Sequence, residues 1–260
     1  MKEVTRSTIK WVAMLTMLID HTRFTLVLAN TMQARVIREC VMCVGRIAFP
    51  LFGFLLVDGF FRTRSKADYF LRIFISALIS EVPYDLMRDR MPICNGHQNV
   101  LWTLLFAFGA MWISEAVMER YRDRKDKRVQ CILLLALISV AACALAYVVH
   151  TDYGLYGVGA ILIMFYCKII ERKMPGGFPI SANIAGYMAG VMLLVAVSEY
   201  EVVALTGLIL IRHYKGHPGK KIPMDISYGF YPLHILVLLL ASGLIYPQLN
   251  IFKLITDFFA

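Results

Sequence analysis

Residues 119–150 read ERYRDRKDKRVQCILLLALISVAACALAYVVH. After the basic residues Arg120, Arg122, Arg124, Lys125, Lys127 and Arg128, the chain runs from Cys131 to Val149 without a charge. Nineteen helical residues at ~1.5 Å each rise about 28 Å, close to the ~30 Å hydrocarbon core of a bilayer. A continuous apolar run of this length marks a transmembrane helix, and its basic flank marks the side that stays in the cytoplasm.

Similar runs continue in both directions, at approximately 9–29, 41–61, 69–87, 99–118, 153–170, 178–197, 200–211 and 227–246. Apolar residues make up 59% of the chain and charged residues 17%, with a mean hydropathy of +0.64, which is too apolar for a water-soluble fold. The expected fold class is therefore an all-α integral membrane protein. Residues 1–260 are expected to form a single polytopic bundle of about nine transmembrane helices, with no separate soluble domain.

The net charge of +9 follows the same plan. Basic loops follow spans two (Arg62, Arg64, Lys66), four, six (Arg172, Lys173) and eight (Arg212, Lys215, Lys220, Lys221). With the amino terminus, roughly seventeen of the 27 Lys and Arg fall on one side and about five on the other. The amino terminus is thus expected in the cytoplasm of a plasma-membrane protein and the carboxyl terminus outside. The short eighth span is retained because only then does every loop alternate. Loop charge of this kind faces the lipid bilayer, and nucleic acid is not an expected partner.

The start imitates a secretory signal, with Lys2 and Arg6 before an apolar stretch, but Asp20, His21 and Arg23 interrupt its far end without a small-residue cleavage site. An uncleaved first span is expected. Six cysteines lie in or beside apolar spans, and Cys40 and Cys43 form a CxxC without a second pair, so no metal centre is expected. Gly186 and Gly190 form a GxxxG suited to close helix packing. Pro50, Pro83 and Pro232 are expected to break or bend their helices. Residues 249–259 read as a short interfacial tail. No inverted repeat is visible, which weakens a transporter reading.

Ionisable groups within a span cost ~2.5–3.5 kcal/mol near its centre, so each needs a partner, a watery cavity or a task. Lys10 and His21 are eleven positions apart. At 100° per residue that is about three turns plus 20°, so they share one face with a rise of ~16 Å. Lys10 falls at the cytoplasmic entrance and His21 towards the outer half. Snorkelling explains Lys10 equally well, and a packed histidine explains His21. Asp20 either pairs with Arg23 or orients His21. Around span two, Arg46 lies at the outer part, and Arg62, Arg64 and Arg72 approach the same membrane face as Lys10. These arginines fit either phosphate oxygens or anionic lipid. Glu81, Asp85 and Asn99, with His97 nearby, either line an outward-facing acceptor pocket or sit in interfacial water. His234, in the inner half of span nine, reads as a packed, hydrogen-bonded histidine.

Five blocks, IKWVAMLTMLIDH (9–21), GRIAFPLFGFLLVDGFFRTR, SEVPYD, DYGLYG and FYPLHIL, together resemble the TraX family of membrane proteins, in order and over most of the chain. The family's founding members are associated with amino-terminal acetylation of conjugative pilin. A more distant likeness joins the pattern to the acyltransferase-three family and the lysosomal heparan acetyltransferase. The signature there is a polar or basic residue, ten intervening residues and a histidine, matched by Lys10 and His21.

The resemblance implies that acetyl-CoA binds from the cytoplasm and that the histidine performs the transfer. On that reading His21 is the general base, with Asp20 beside it. Lys10, Arg62, Arg64 and Arg46 hold the cofactor, and Glu81, Asp85 and Asn99 meet the acceptor, a polysaccharide, lipid, peptide or small amine. The rival expectation is a proton- or ion-coupled transporter using the same intramembrane charges.

Overall fold

The computed structural model describes residues 3–26, 30–175, 180–220 and 222–259. Lys2, Lys221 and the expected span ends at 27–29 and 178–179 lie outside the described residues. Among the described residues there is no strand, only isolated bridges between Val4 and Tyr214 and between Gln98 and Thr151.

The helices are α1 (Arg6–Thr25), α2 (Met32–Gly45), α3 (Ala48–Phe60), α4 (Lys66–Arg88), α5 (Val100–Arg120), α6 (Arg128–Val148), α7 (Gly154–Lys173) and α8 (Ala182–Val195). A 3-10 segment, Glu199–Gly207, then leads into α9 (Leu208–His213), α10 (Met224–Ile245) and α11 (Ile251–Phe259). Five described segments are long and apolar enough to cross a membrane: Met32–Phe60, Val100–Arg120, Lys125–Val148, Gly154–Lys173 and Ile226–Ile245. The chain is an all-helical membrane protein.

Local signals explain most boundaries. Thr5, Thr31, Ser65 and Asn99 each turn a side-chain oxygen onto a free N–H of the first turn they precede. The α1 start is held further by the His217 and Pro218 carbonyls, which accept from Arg6 N at 2.9 Å and Ser7 N at 3.2 Å. The expected span 41–61 falls within Met32–Phe60, one of the five, although regular structure is interrupted at Arg46 and Ile47; Pro50 lies in the first turn of α3, where a missing N–H costs nothing. Pro83 and Pro232, in contrast, lie inside continuous helices. The eighth span is a nine-residue 3-10 segment followed by the six-residue α9.

The core forms two clusters. In the larger, Phe60 of α3 stands edge-on to Phe108 of α5 and Phe165 of α7, with centroids 5.3 and 5.5 Å apart. The GxxxG works as expected: a Cβ on Gly190 would lie 2.9 Å from the Ala160 carbonyl oxygen, and one on Gly186 3.0 Å from the Met164 Cα. The smaller cluster joins Met17 of α1, Tyr84 and Met87 of α4, and Tyr231, Ile235 and Leu239 of α10. A cavity lies where the clusters meet, walled by residues of both.

Candidate functional site

The cavity has a volume of about 160 Å³, room for roughly eleven to sixteen waters at 10–15 Å³ each. Lys10, Met14, Met17 and His21, at helical spacing on one face of α1, line it from end to end. The opposite face of α1 presents Trp11 and Leu15 outward. The expectation that Lys10 and His21 share a face therefore holds, and that face borders a space.

At the Lys10 end, Arg6, Tyr69, Ser227 and Tyr228 complete the wall. Lys10 makes no ion pair or hydrogen bond to protein among the described residues. Arg72 stacks near Tyr69 and Tyr228, its centre 5.7 Å from each ring, and its Nε donates to the Tyr228 hydroxyl at 3.4 Å. Behind Arg6, the Asp58 carboxylate gathers Arg6 Nε at 3.5 Å, Arg62 Nε at 2.9 Å and the Tyr214 hydroxyl at 3.0 Å. Burial, and then the Asp58 charge, push Tyr214 up to about 12, so it remains a donor at any ordinary pH. Of the arginines expected to hold a cofactor, Arg62 is paired with Asp58 and Arg64 is exposed, and neither lines the cavity. Arg6, which reads in the sequence only as part of the basic amino terminus, does line it.

At the other end, His21 Nδ1 lies 2.7 Å from His234 Nε2, with the imidazoles stacked at 4.8 Å. His234 Nδ1 donates to the Phe230 carbonyl oxygen at 2.7 Å. A carbonyl only accepts, so in neutral His234 the proton sits on Nδ1 and the lone pair on Nε2. That lone pair accepts from His21 Nδ1–H. The His21 lone pair is therefore on Nε2, which has no partner among the described residues. His234 is a hydrogen-bonded histidine as expected, and its contact with His21 means that an outer-half His21 and an inner-half His234 do not both hold. The two are at the same depth because α10 runs beside α1 from the Lys10 end.

Asp20 does not orient His21. Its carboxylate lies 3.0 Å from Arg23 Nε and 4.0 Å from Arg46 Nη2, and Arg46 Nη1 reaches Glu201 Oε1 at 3.0 Å and the Tyr153 hydroxyl at 3.3 Å. This corrects Arg46 as well, since it is tied to carboxylates three turns away from Lys10 and does not line the cavity. Gly45 permits the approach, because a Cβ there would collide with the Asp20 side chain. Tyr153 stacks on Phe49 with centroids 3.9 Å apart, and its backbone is left-handed at φ 63°. A non-glycine residue held there costs about 1–3 kcal/mol and persists only where its surroundings fix it.

Glu81, Asp85 and Asn99 are not pocket residues. Asn99 Nδ2 donates to Glu81 and, at 2.9 Å, to the Ala77 carbonyl, while Glu81 Oε2 also accepts from Trp102 Nε1 at 2.7 Å. Asp85 accepts from Cys94 N at 2.8 Å. These bonds lock α4 to the start of α5 and to the loop between them, and none of the three residues lines the cavity.

The family model described as TraX protein matches residues 5–242, which contain every residue of this site. The chain belongs to the TraX family. It is also similar, at 25% identity across 88% of this chain and 92% of the relative, to the Probable fimbrial assembly protein FimC, serogroup H1, of Dichelobacter nodosus. No solved structure matches it.

Three members of this TraX site have weak sequence signals. His234 and Tyr153 stand in the FYPLHIL and DYGLYG blocks, but nothing in their spacing joins them to residue 21 or 46. Glu201 was marked only by being a carboxylate at the start of an apolar run.

Proposed function

We propose that this protein is a transmembrane acyltransferase that moves an acetyl group from acetyl-CoA to an amine or hydroxyl, with His21 as general base. The observation that carries the reading is a single cavity, lined by one face of α1, with the unpaired cation Lys10 at one end and the free His21 Nε2 at the other. A cation without a carboxylate partner in a half-buried wall fits an anionic ligand, and Arg6 and Arg72 add charge at the same end. The phosphates of CoA suit that end, and a thin pantetheine arm suits the apolar ~16 Å between Lys10 and His21.

In the transfer, His21 Nε2 takes the proton of the attacking amine or hydroxyl as the new bond to the acyl carbon forms. The carbon–sulfur bond breaks, and the departing CoA thiolate receives that proton. His234 accepts the His21 Nδ1–H and steadies the imidazolium that forms in between. Nine spans with the amino terminus in the cytoplasm of the plasma membrane bring the Lys10 end to the cytoplasmic pool of acetyl-CoA. Among polysaccharide, lipid, peptide and small-amine acceptors, the name of the D. nodosus relative favours a subunit of a surface fibre.

The test compares cells carrying wild-type or His21→Ala protein. Mass spectrometry of their surface proteins, polymers and lipids is expected to find an acetyl mark lost in the variant. CoA is expected to raise the melting temperature of both purified proteins by several degrees, about 2.7 kcal/mol at a hundredfold excess over Kd. Persistence of every acetyl mark in His21→Ala cells overturns the assignment. Ion-coupled uptake by liposomes without acetyl-CoA consumption replaces it with the transporter.

A further inference from the structure

The Tyr231 hydroxyl at the His21 end is a buried polar group without a hydrogen-bond partner among the described residues. The residue is 4% exposed and lines the cavity. Its ring stands edge-on to both imidazoles, with centroids 6.1 Å from His21 and 5.7 Å from His234. Its hydroxyl has no acceptor among the described residues. Other buried tyrosines donate: Tyr187 to the Ala204 carbonyl at 2.9 Å, and Tyr214 to the Asp58 carboxylate at 3.0 Å. A buried donor left without an acceptor costs about 1–3 kcal/mol, which calls for a ligand or a task.

A second donor lies beside it. Val100 is the first residue of α5, where backbone N–H groups have no partner within the helix. Asn99 caps the next N–H, that of Leu101, at 3.0 Å, and leaves the Val100 N–H uncapped in the neighbourhood of the Tyr231 hydroxyl. Val100 and Leu101 both line the cavity. A hydroxyl oxygen that meets the positive end of a helix makes its own O–H a better donor.

We propose that Tyr231 is a catalytic hydrogen-bond donor to the acyl carbonyl oxygen, holding the oxyanion that forms when the acceptor attacks the thioester. This rests on the acyl-transfer reading above. The attacking lone pair forms the new bond to the carbonyl carbon, and the C=O π pair moves to oxygen, where Tyr231 O–H meets it. Collapse re-forms the double bond and expels CoA thiolate, which takes the proton His21 collected. The Tyr231 proton stays on tyrosine throughout. The chemistry selects an oxygen that gains negative charge, so acyl thioesters fit and a simple cation path leaves the hydroxyl without a role.

The experiment measures CoA thiol released from acetyl-CoA by purified protein in detergent, with hydroxylamine as surrogate acceptor. Tyr231→Phe removes one oxygen and keeps both ring contacts. It is expected to lower kcat by 10²–10³-fold, to leave the KM for acetyl-CoA within about twofold, and not to lower the melting temperature. Fluorotyrosines of graded acidity placed at 231 are expected to shift kcat in step with acidity, which a space-filling ring does not do. A Tyr231→Phe rate within twofold of wild type, in a preparation where His21→Ala is inactive, overturns the role of Tyr231 and leaves the acyl-transfer reading standing. A fully active His21→Ala protein overturns that reading itself.

Discussion

Helices α1 and α6 are of nearly equal length, 20 and 21 residues, and almost opposite in every other respect. In α6 only Ala146 is buried, and Leu133, Leu137 and Val140 present well over half their surface outward. In α1 seven residues are buried, among them Thr16, His21 and Thr25, and the helix is too polar to be among the five segments that hydropathy marks as spans. The bilayer selects the sequence of α6, whereas the protein interior selects that of α1. Hydropathy thus detects the helix that meets lipid most readily, and the polar interruptions it penalises locate the cavity.

The contrast makes predictions of decreasing size. His234→Leu leaves His21 Nδ1–H without an acceptor, and the rate of thiol release is expected to fall 10²-fold or more, a general-base contribution being 10²–10⁴. His234→Gln, whose side-chain oxygen accepts a hydrogen bond, is expected to restore part of that loss. Equal rates for wild type and the leucine variant would remove the relay from the mechanism.

Next in size is Gly190→Val, which drives two methyl groups against the Ala160 carbonyl. It is expected to cost about 1–3 kcal/mol in thermal unfolding while leaving the rate per folded molecule unchanged. A unchanged melting temperature contradicts the close α7–α8 contact. Lys10→Gln is expected to weaken CoA binding about tenfold, equivalent to roughly 1.4 kcal/mol, with kcat little changed. Binding measured by thermal shift at several CoA concentrations checks it, and a fall in kcat at unchanged affinity moves Lys10 from binding to chemistry. Smallest of all, Leu137→Ala on α6 is expected to change stability by less than ~0.5 kcal/mol. A loss of 2 kcal/mol or more would mean that α6 packs against protein there.

The same contrast explains what could be read from the chain. Apolar length was enough to expect helices at 99–118, 131–149 and 153–170, which match α5, α6 and α7 within three residues at each end. Helical periodicity was enough to align Lys10 with His21. Length alone misjudged 200–211, where the backbone tightens into a 3-10 segment. Candidate residues chosen one at a time fared worst. Arg46, Glu81, Asp85 and Asn99 are polar in apolar surroundings, as a site residue would be, but each is held by a partner on another element or loop. Glu81 lies 21 positions from Trp102, and Arg46 lies 155 from Glu201. Periodicity within one helix carries no information about such pairings. The link from His21 to His234 is hidden for the same reason.

That link spans 213 positions. During synthesis, α1 reaches the membrane with the Lys10 ammonium and the His21 imidazole already aligned, but the partner that fixes the tautomer arrives only with α10. A fragment lacking α10 also lacks Tyr231 and the Phe230 carbonyl. On the acyl-transfer proposal, the site is therefore incomplete and chemically silent until α10 has joined α1.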